Sequence, residues 1–185
     1  MKLFLKPSLA ILFAASVFTA TSCSNDDDPT PNNEEELITT LKLTMVPQGG
    51  GTNVTASYRD IDGAGGVAPV ITGPTLVPNK VYDVTVEILD ESKNPVEDIT
   101  AEVQEEGDEH QFFYVVSSGL NLAVAYNDMD ANNRPVGIKT RMTTTGASSG
   151  NLQVVLKHQP GTKSATSTIN TGETDVEVLF PVTIR

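Results

Sequence analysis

The chain is poor in cysteine, tryptophan and basic residues. Its 185 residues include one cysteine, no tryptophan, and 12 lysines and arginines against 24 aspartates and glutamates, a formal net charge of −12. A single cysteine excludes an intramolecular disulfide, so the folded part must be stabilised by its apolar core. The excess of acidic residues repels phosphate groups, which argues against binding to nucleic acid or to anionic membrane surfaces.

Motifs that would indicate an enzyme are sparse. No glycine-rich phosphate loop follows a predicted strand. The acidic residues are plentiful, but a glycosidase needs two carboxylates that face each other across a cleft. The short predicted loops leave little room for such a cleft, and we predict that the protein is not an enzyme.

The N-terminus has the features of a secretion signal. Lys2 and Lys6 precede an apolar stretch of 12 residues (9–20), which is too short to cross a bilayer as a helix. The small residues of ATSC (20–23) and Cys23 resemble the lipobox of bacterial lipoproteins. That resemblance implies cleavage of a signal peptide, residues 1–22, and lipidation of Cys23. The alternative is an ordinary secreted protein that is cut near Ala20 and keeps a free thiol.

An acidic segment separates Cys23 from the predicted domain. Residues 24–36 contain six acids, two prolines and no apolar side chain, so they cannot bury enough surface to fold. We therefore predict a disordered tether over 23–36, with membrane attachment through the lipid. The run SNDDD (24–28) resembles the acidic signal that exports some lipoproteins of Gram-negative bacteria. It implies that the protein is exposed at the cell surface on the outer membrane.

The remainder, 37–185, is long enough for one domain, and its pattern is that of short β-strands. Apolar residues alternate with polar ones, and glycine, proline and asparagine separate the runs. The pattern predicts an all-β fold, an antiparallel immunoglobulin-like β-sandwich of nine or ten strands. The predicted strands are 37–46, 52–59, 81–89, 98–104, 111–116, 121–127, 136–144, 151–158 and 174–184.

Two similar halves are also indicated. GTNVTASYRDID (51–62) and GLNLAVAYNDMD (119–130) align without a gap at a spacing of 68 residues. The halves would be 37–104 and 109–184. Each half is too small to be stable alone, so we expect them to share one core. Chance similarity between two β-rich segments is the alternative.

The repeated phrase raises the question of calcium. An EF-hand loop needs a bidentate acid at its twelfth position, but counting from Asp60 or Asp128 gives Ile71 or Lys139. The two phrases contain Asp62-Gly63 and Asn132-Asn133, residue types that tolerate positive φ. They therefore predict the tips of hairpins. A weak calcium site remains an alternative at two pairs of acids, Asp60 with Asp62 and Asp128 with Asp130.

A transition-metal site is a second candidate. EEGDEHQFF (105–113) places a histidine among acids at the start of a predicted strand, and imidazole with carboxylates suits zinc, copper or iron. The other histidine, His158, ends another predicted strand. A site built from Asp108, Glu109, His110 and His158 would form only if the fold brings the two histidines together. The alternative is a solvated acidic loop and an unrelated histidine at the rim of the core.

The aromatic run Phe112-Phe113-Tyr114 predicts a strand within the same region. We expect Phe113 to face the core, and the alternation of side chains then puts its two neighbours on the other face. Those two rings could be buried there or exposed as a binding surface.

Three stretches, GDEHQFFY (107–114), KHQPG (157–161) and TGETDVEVLFPVTI (171–184), give a family resemblance. They are similar to small outer-membrane lipoproteins of unknown activity that are often labelled as having a type 1 periplasmic binding fold. That label implies two α/β lobes with a helix after each strand. The sequence pattern predicts strands and no helices. The resemblance also implies a TonB-dependent receptor or another outer-membrane protein as a partner.

Three functions follow from these observations. The leading hypothesis is a non-catalytic accessory module for the uptake of nutrients or metal chelates. The second is a metal-capturing lipoprotein that coordinates the ion through His110, His158 and acids. The third is a structural or adhesive surface protein. No cofactor is certain from the sequence, and a transition metal or weakly bound Ca²⁺ are the candidates.

Overall fold

The computed structural model describes residues 37–63 and 65–185, so the predicted signal peptide, Cys23 and the tether 24–36 lie outside the described residues. The described part of the chain forms eleven strands and one short helix. The elements are β1 (Thr40–Pro47), β2 (Val54–Arg59), β3 (Val70–Thr72), β4 (Thr75–Leu76), β5 (Val81–Asp90), β6 (Glu97–Asp98), α1 (Ile99–Glu105), β7 (His110–Val116), β8 (Leu122–Tyr126), β9 (Lys139–Thr144), β10 (Ser148–His158) and β11 (Glu173–Ile184).

The strands form two sheets packed face to face, which confirms the all-β sandwich. The larger sheet has the order β3-β2-β1-β5-β9-β8, with β6 paired to β5, and the smaller has the order β4-β11-β10-β7. All pairs are antiparallel except β4 with β11. The sheets do not divide at the boundary between the predicted halves, because β4 joins the smaller sheet while β8 and β9 join the larger one.

Alternation along the strands builds the shared core. Side chains two residues apart lie on the same face of a strand, so each long strand contributes one apolar row. On β5 the row is Tyr82, Val84, Val86 and Ile88, all at most 3% exposed. The row on β11 runs from Val176 to Ile184 and meets it in a single apolar cluster. The sequence pattern therefore encodes both inner faces of the sandwich.

The predicted strand at 98–104 is wrong, since Ile99–Glu105 forms α1. The side chain of Asp98 accepts the backbone N–H of Thr100 and caps the helix, while Ile99 and Val103 are buried one turn apart. Apolar residues at 99, 101 and 103 also satisfy a strand pattern, which explains the error. No helix among the described residues is long and apolar enough to cross a bilayer.

The expected orientation of the aromatic run is also wrong. Phe112 is fully buried and Tyr114 packs against the core, while Phe113 is half-buried on the opposite face of β7. The Tyr114 hydroxyl donates to the carbonyl of Gly137 at 2.6 Å. The Tyr126 hydroxyl donates to the carbonyl of Phe112 at 2.9 Å. These bonds tie β7 to the larger sheet across the core.

Candidate metal site

The two histidines of the chain lie side by side at one end of the smaller sheet. His110 begins β7 and His158 ends β10, and the antiparallel register places the two residues opposite each other. Their rings are stacked, with centroids 4.5 Å apart and planes within 7°. Directly opposed residues on neighbouring strands share one face of the sheet, which is why the pair meets. The fold thus brings together the two predicted histidines.

Glu106 completes a group of three candidate ligands. It follows α1, and its carbonyl accepts the backbone N–H groups of Glu109 (2.9 Å) and His110 (3.1 Å). This tight turn brings its Oε2 to 3.7 Å from Nδ1 of His110. One ligand atom each from Glu106, His110 and His158 lies within 4.8 Å of the others. Imidazole and carboxylate donors suit zinc, copper(II) or iron.

Two further carboxylates approach the histidine pair from outside. Oε2 of Glu109 lies 3.6 Å from Nε2 of His158, and Oδ2 of Asp175 lies 4.0 Å from Nε2 of His110. The register of β10 with β11 shifts between Leu156 and Lys157, so Asp175 is the extra residue of a β-bulge. Bulges re-aim side chains, which explains how Asp175 reaches His110. We call Glu106, Glu109, His110, His158 and Asp175 the histidine cluster.

The surroundings favour a neutral imidazole at His110. Burial, followed by the neighbouring His158, lowers the pKa of His110 to about 4. Metal ions bind the neutral ring, so His110 is ready to act as a ligand at neutral pH. Burial and the negative charges of Glu102 and Glu109 raise the pKa of Glu106. A cation bound at the cluster would relieve this repulsion between carboxylates.

Coordination requires one ring to move. An imidazole nitrogen binds a metal in the plane of its ring, so two parallel stacked rings cannot both point at one ion. A zinc ion holds nitrogen ligands at about 2.1 Å, which allows two of them to be at most about 4.2 Å apart. His110 is fixed by burial, with 7% of its side chain exposed, whereas His158 is 19% and Glu106 49% exposed. The more exposed side chains must therefore close around His110.

The other predicted acids lie elsewhere. Asp108 lines a cavity of about 510 Å³ whose walls include none of the histidine cluster. It was predicted as a ligand because it belongs to the acidic run before His110, but it lines this cavity, whereas Glu109 lies beside His158. Glu106, which is four residues before His110, is the better-placed neighbour. That spacing was visible in the sequence, whereas the proximity of Asp175 depends on a bulge that the sequence does not reveal.

The calcium candidates of the second hairpin hold the loop together. Asp128 accepts the backbone N–H groups of Gly137 and Lys139, both at 2.8 Å. Oδ1 of Asp130 accepts the N–H groups of Asn132 (2.8 Å) and Arg134 (2.9 Å). Oδ2 of Asp130 forms an ion pair with Nζ of Lys163 at 3.0 Å. These two carboxylates already serve donors of the protein itself.

The first hairpin is similar. Asp60 accepts the hydroxyl of Tyr58 at 3.2 Å, and Asp62 accepts the backbone N–H of Val67 at 2.7 Å. Gly63 has a φ of 70°, and Asn133 of the second hairpin has a φ of 58°, as the turn interpretation requires. Calcium binding at Asp60 and Asp62 stays a prediction.

A serine motif at 146–150 is part of a hairpin. Gly-Ala-Ser-Ser-Gly matches the Gly-x-Ser-x-Gly pattern of a nucleophile elbow, which requires a turn from a strand into a helix. Here the segment connects β9 to β10, and Ser148 is the first residue of β10. Its Oγ accepts the backbone N–H of Asn121 at 2.9 Å. The motif therefore joins two strands and does not form an elbow.

Comparisons with known proteins add nothing to this geometry, since no family model, no curated protein and no solved structure matches the chain.

Proposed function

We propose that the protein is a non-catalytic, lipid-anchored binding protein that captures a divalent transition-metal ion at the histidine cluster. The observation that carries the proposal is the cross-strand pair His110–His158 with Glu106 beside it. Both histidines of the chain meet in one place, although 47 residues separate them in the sequence. Two imidazoles and two or three carboxylates form a donor set that suits zinc, copper(II) or iron(II).

The exposure of the cluster favours capture and release over a structural role. Structural zinc sites are closed, and they commonly use thiolates, whereas Glu106 and Glu109 are 49% and 41% exposed. The apolar core joins the two sheets without any contribution from the cluster. An ion bound there would be reachable from solvent and could be passed to a partner. The net charge of −12 also attracts cations to the molecule.

The proposal includes a location and a partner. A lipid on Cys23 and an acidic tether would hold the sandwich at the outer face of the outer membrane. A TonB-dependent receptor for metal ions or metal chelates is the partner that this location favours. Co-purification from outer membranes tests this part, and a protein that comes alone would contradict it.

Metal titration tests the site itself. The full-length protein, purified in detergent, is titrated with zinc, copper(II) and iron(II) in a calorimeter. We expect one ion per chain, and we expect His158→Asn to weaken binding at least tenfold because it removes the mobile ligand. Glu177→Gln, an exposed acid on β11, is the matched control and should bind as the wild type does. Equal binding by the wild type and His158→Asn would refute the site.

A further inference from the structure

Lys163 is a buried cation in the connection between β10 and β11. Only 1% of its side chain is exposed, as is true of its partner Asp130. Its Nζ donates to the carbonyl oxygens of Gly107 (2.6 Å) and His110 (2.9 Å) and lies 3.0 Å from Oδ2 of Asp130. An ammonium group has three donors, of which two bond to these carbonyl oxygens, and its charge is balanced by the ion pair with Asp130.

The two carbonyl acceptors belong to the turn that carries the metal candidates. Gly107 follows Glu106 directly, and His110 is itself in the cluster. The β7–β10 ladder places the last residue of the turn, His110, opposite His158, and the hydrogen bonds within the turn to the Glu106 carbonyl are local. Lys163 supplies two further bonds from outside the turn, one of them to Gly107, which the ladder does not reach. It therefore helps to set where Glu106 lies relative to His110.

Lys163 is also linked to His158, through the backbone of the next residue, Gln159. The backbone N–H of Gln159, the residue after His158, donates to the Glu109 carbonyl at 2.6 Å. The backbone N–H of Lys163 in turn donates to the Gln159 carbonyl at 3.0 Å. One residue thus holds the end of the strand that carries His158 and the turn that carries Glu106 and His110.

Asp130 gives Lys163 a fixed point of attachment. Its Oδ1 is held by two backbone N–H groups of the loop between β8 and β9, so Oδ2 has a defined position. The guanidinium of Arg134, in the same loop, donates to the carbonyl of Lys163. Lys163 is therefore fixed from its backbone and from its side chain.

We propose, on the basis of the function proposed above, that Lys163 is a positioning residue that sets the spacing of the metal ligands. It would act on the ion only through the turn 106–110 and the strand end at His158. Its ammonium group lies against main-chain oxygens of the turn and not against a ligand atom. A merely structural ion pair would stabilise the fold without changing the affinity for metal, and this difference can be measured.

The test uses the double variant Lys163→Met/Asp130→Asn. Methionine has a similar length to lysine but no donors, and asparagine keeps the Oδ1 acceptor for the loop. Removing both charges together avoids leaving one buried and unpaired. We expect a folded protein whose zinc Kd is at least tenfold weaker, with faster hydrogen exchange at the amides of Glu109 and His110.

Lys80→Met is the control. Like Lys163, Lys80 donates from its Nζ to a main-chain oxygen, the Gly50 carbonyl at 3.2 Å, but neither residue belongs to the histidine cluster or to the turn 106–110. The control should keep both the zinc Kd and the exchange rates of the wild type. A double variant with an unchanged Kd and unchanged exchange would overturn the role of Lys163. Absence of zinc binding by the wild type would refute the proposed function, and hydrogen exchange alone would then decide whether Lys163 positions the turn.

Discussion

At the scale of single residues, His110 shows how position changes chemistry. The same imidazole in solution would be partly protonated near pH 6.5, but burial and the stacked ring of His158 lower its pKa to about 4. The ring therefore stays neutral through mildly acidic conditions. For the metal site this means that protons compete weakly for His110. For the fold it means that the free energy of unfolding decreases in acid, because protonation of His110 favours the unfolded chain.

The dependence of stability on pH follows from that shift. Between pH 6.5 and about 4 the unfolded chain binds a proton at His110 that the folded chain does not, so stability is lost as the pH falls. The loss is at most about 3 kcal/mol. We expect the free energy of unfolding of the wild type, relative to His110→Gln, to decrease across this range in urea titrations at several pH values. A difference that stays constant from pH 7 to pH 4 would contradict the prediction.

At the scale of elements, the sandwich depends on close crossings between the sheets. Gly137 precedes β9 with a φ of 90°, and an added Cβ there would lie 2.9 Å from Cβ of Phe112 and 3.0 Å from the ring of Tyr126. Its carbonyl accepts the Tyr114 hydroxyl. A side chain at this position would push β7 away from the larger sheet. The glycine is needed for backbone conformation and for space.

Comparing Gly137→Ala with Gly161→Ala separates the cost of the backbone conformation from the cost of the missing space. Gly161 also has a positive φ, 63°, but an added Cβ meets nothing within 4 Å. We expect Gly161→Ala to cost about 1 kcal/mol from backbone strain alone. Gly137→Ala should cost about 3 kcal/mol because overpacking adds to the strain. Chemical denaturation of both variants measures the difference, and equal losses would show that the crossing tolerates a side chain.

The elements also show what the sequence could predict. Alternation located the long strands because one face of each is buried, as the row Tyr82 to Ile88 illustrates. It missed β3, β4 and β6, which have two or three residues, too few for a period to show. It mistook α1 for a strand, since a seven-residue helix with Ile99 and Val103 buried satisfies both periods.

The candidate site was predictable only in part, because the residue types are visible in the sequence but their spatial arrangement is not. The residue types pointed to His110, His158 and Glu109, because imidazoles among acids suggest metal coordination. Whether the histidines meet depends on the register of β7 against β10, and no local pattern specifies it. The roles of Asp175 and Lys163 depend on a bulge and on a long connection. These are tertiary features that the alternation of side chains does not encode.

At the scale of the whole molecule, one apolar core joins both sheets without disulfides. Phe112 is central to it, since its ring is fully buried, its backbone N–H donates to the Val136 carbonyl and its own carbonyl accepts the Tyr126 hydroxyl. Phe113, the next residue, lies half-buried on the outer face. The two rings therefore contribute very differently to stability, whereas the sequence predicts Phe113 in the core and leaves Phe112 open.

Truncation of each ring measures this difference. Phe112→Ala should destabilise the protein by about 3–5 kcal/mol, because it leaves a cavity between the sheets. Phe113→Ala should cost about 1–2 kcal/mol, since much of that ring is already in water. Thermal melting of the two variants gives the order, and a larger loss for Phe113→Ala would contradict the described packing.

The parallel arrangement of His110 and His158 has a kinetic and a spectroscopic consequence. If an ion can be chelated only after the two rings separate, its association is gated by a side-chain rearrangement and is slower than diffusional encounter. Each ring also lies in the magnetic shielding zone of the other. Loading with zinc, which is diamagnetic, would abolish that mutual ring-current effect, so the imidazole proton resonances would report occupancy directly, without any added label.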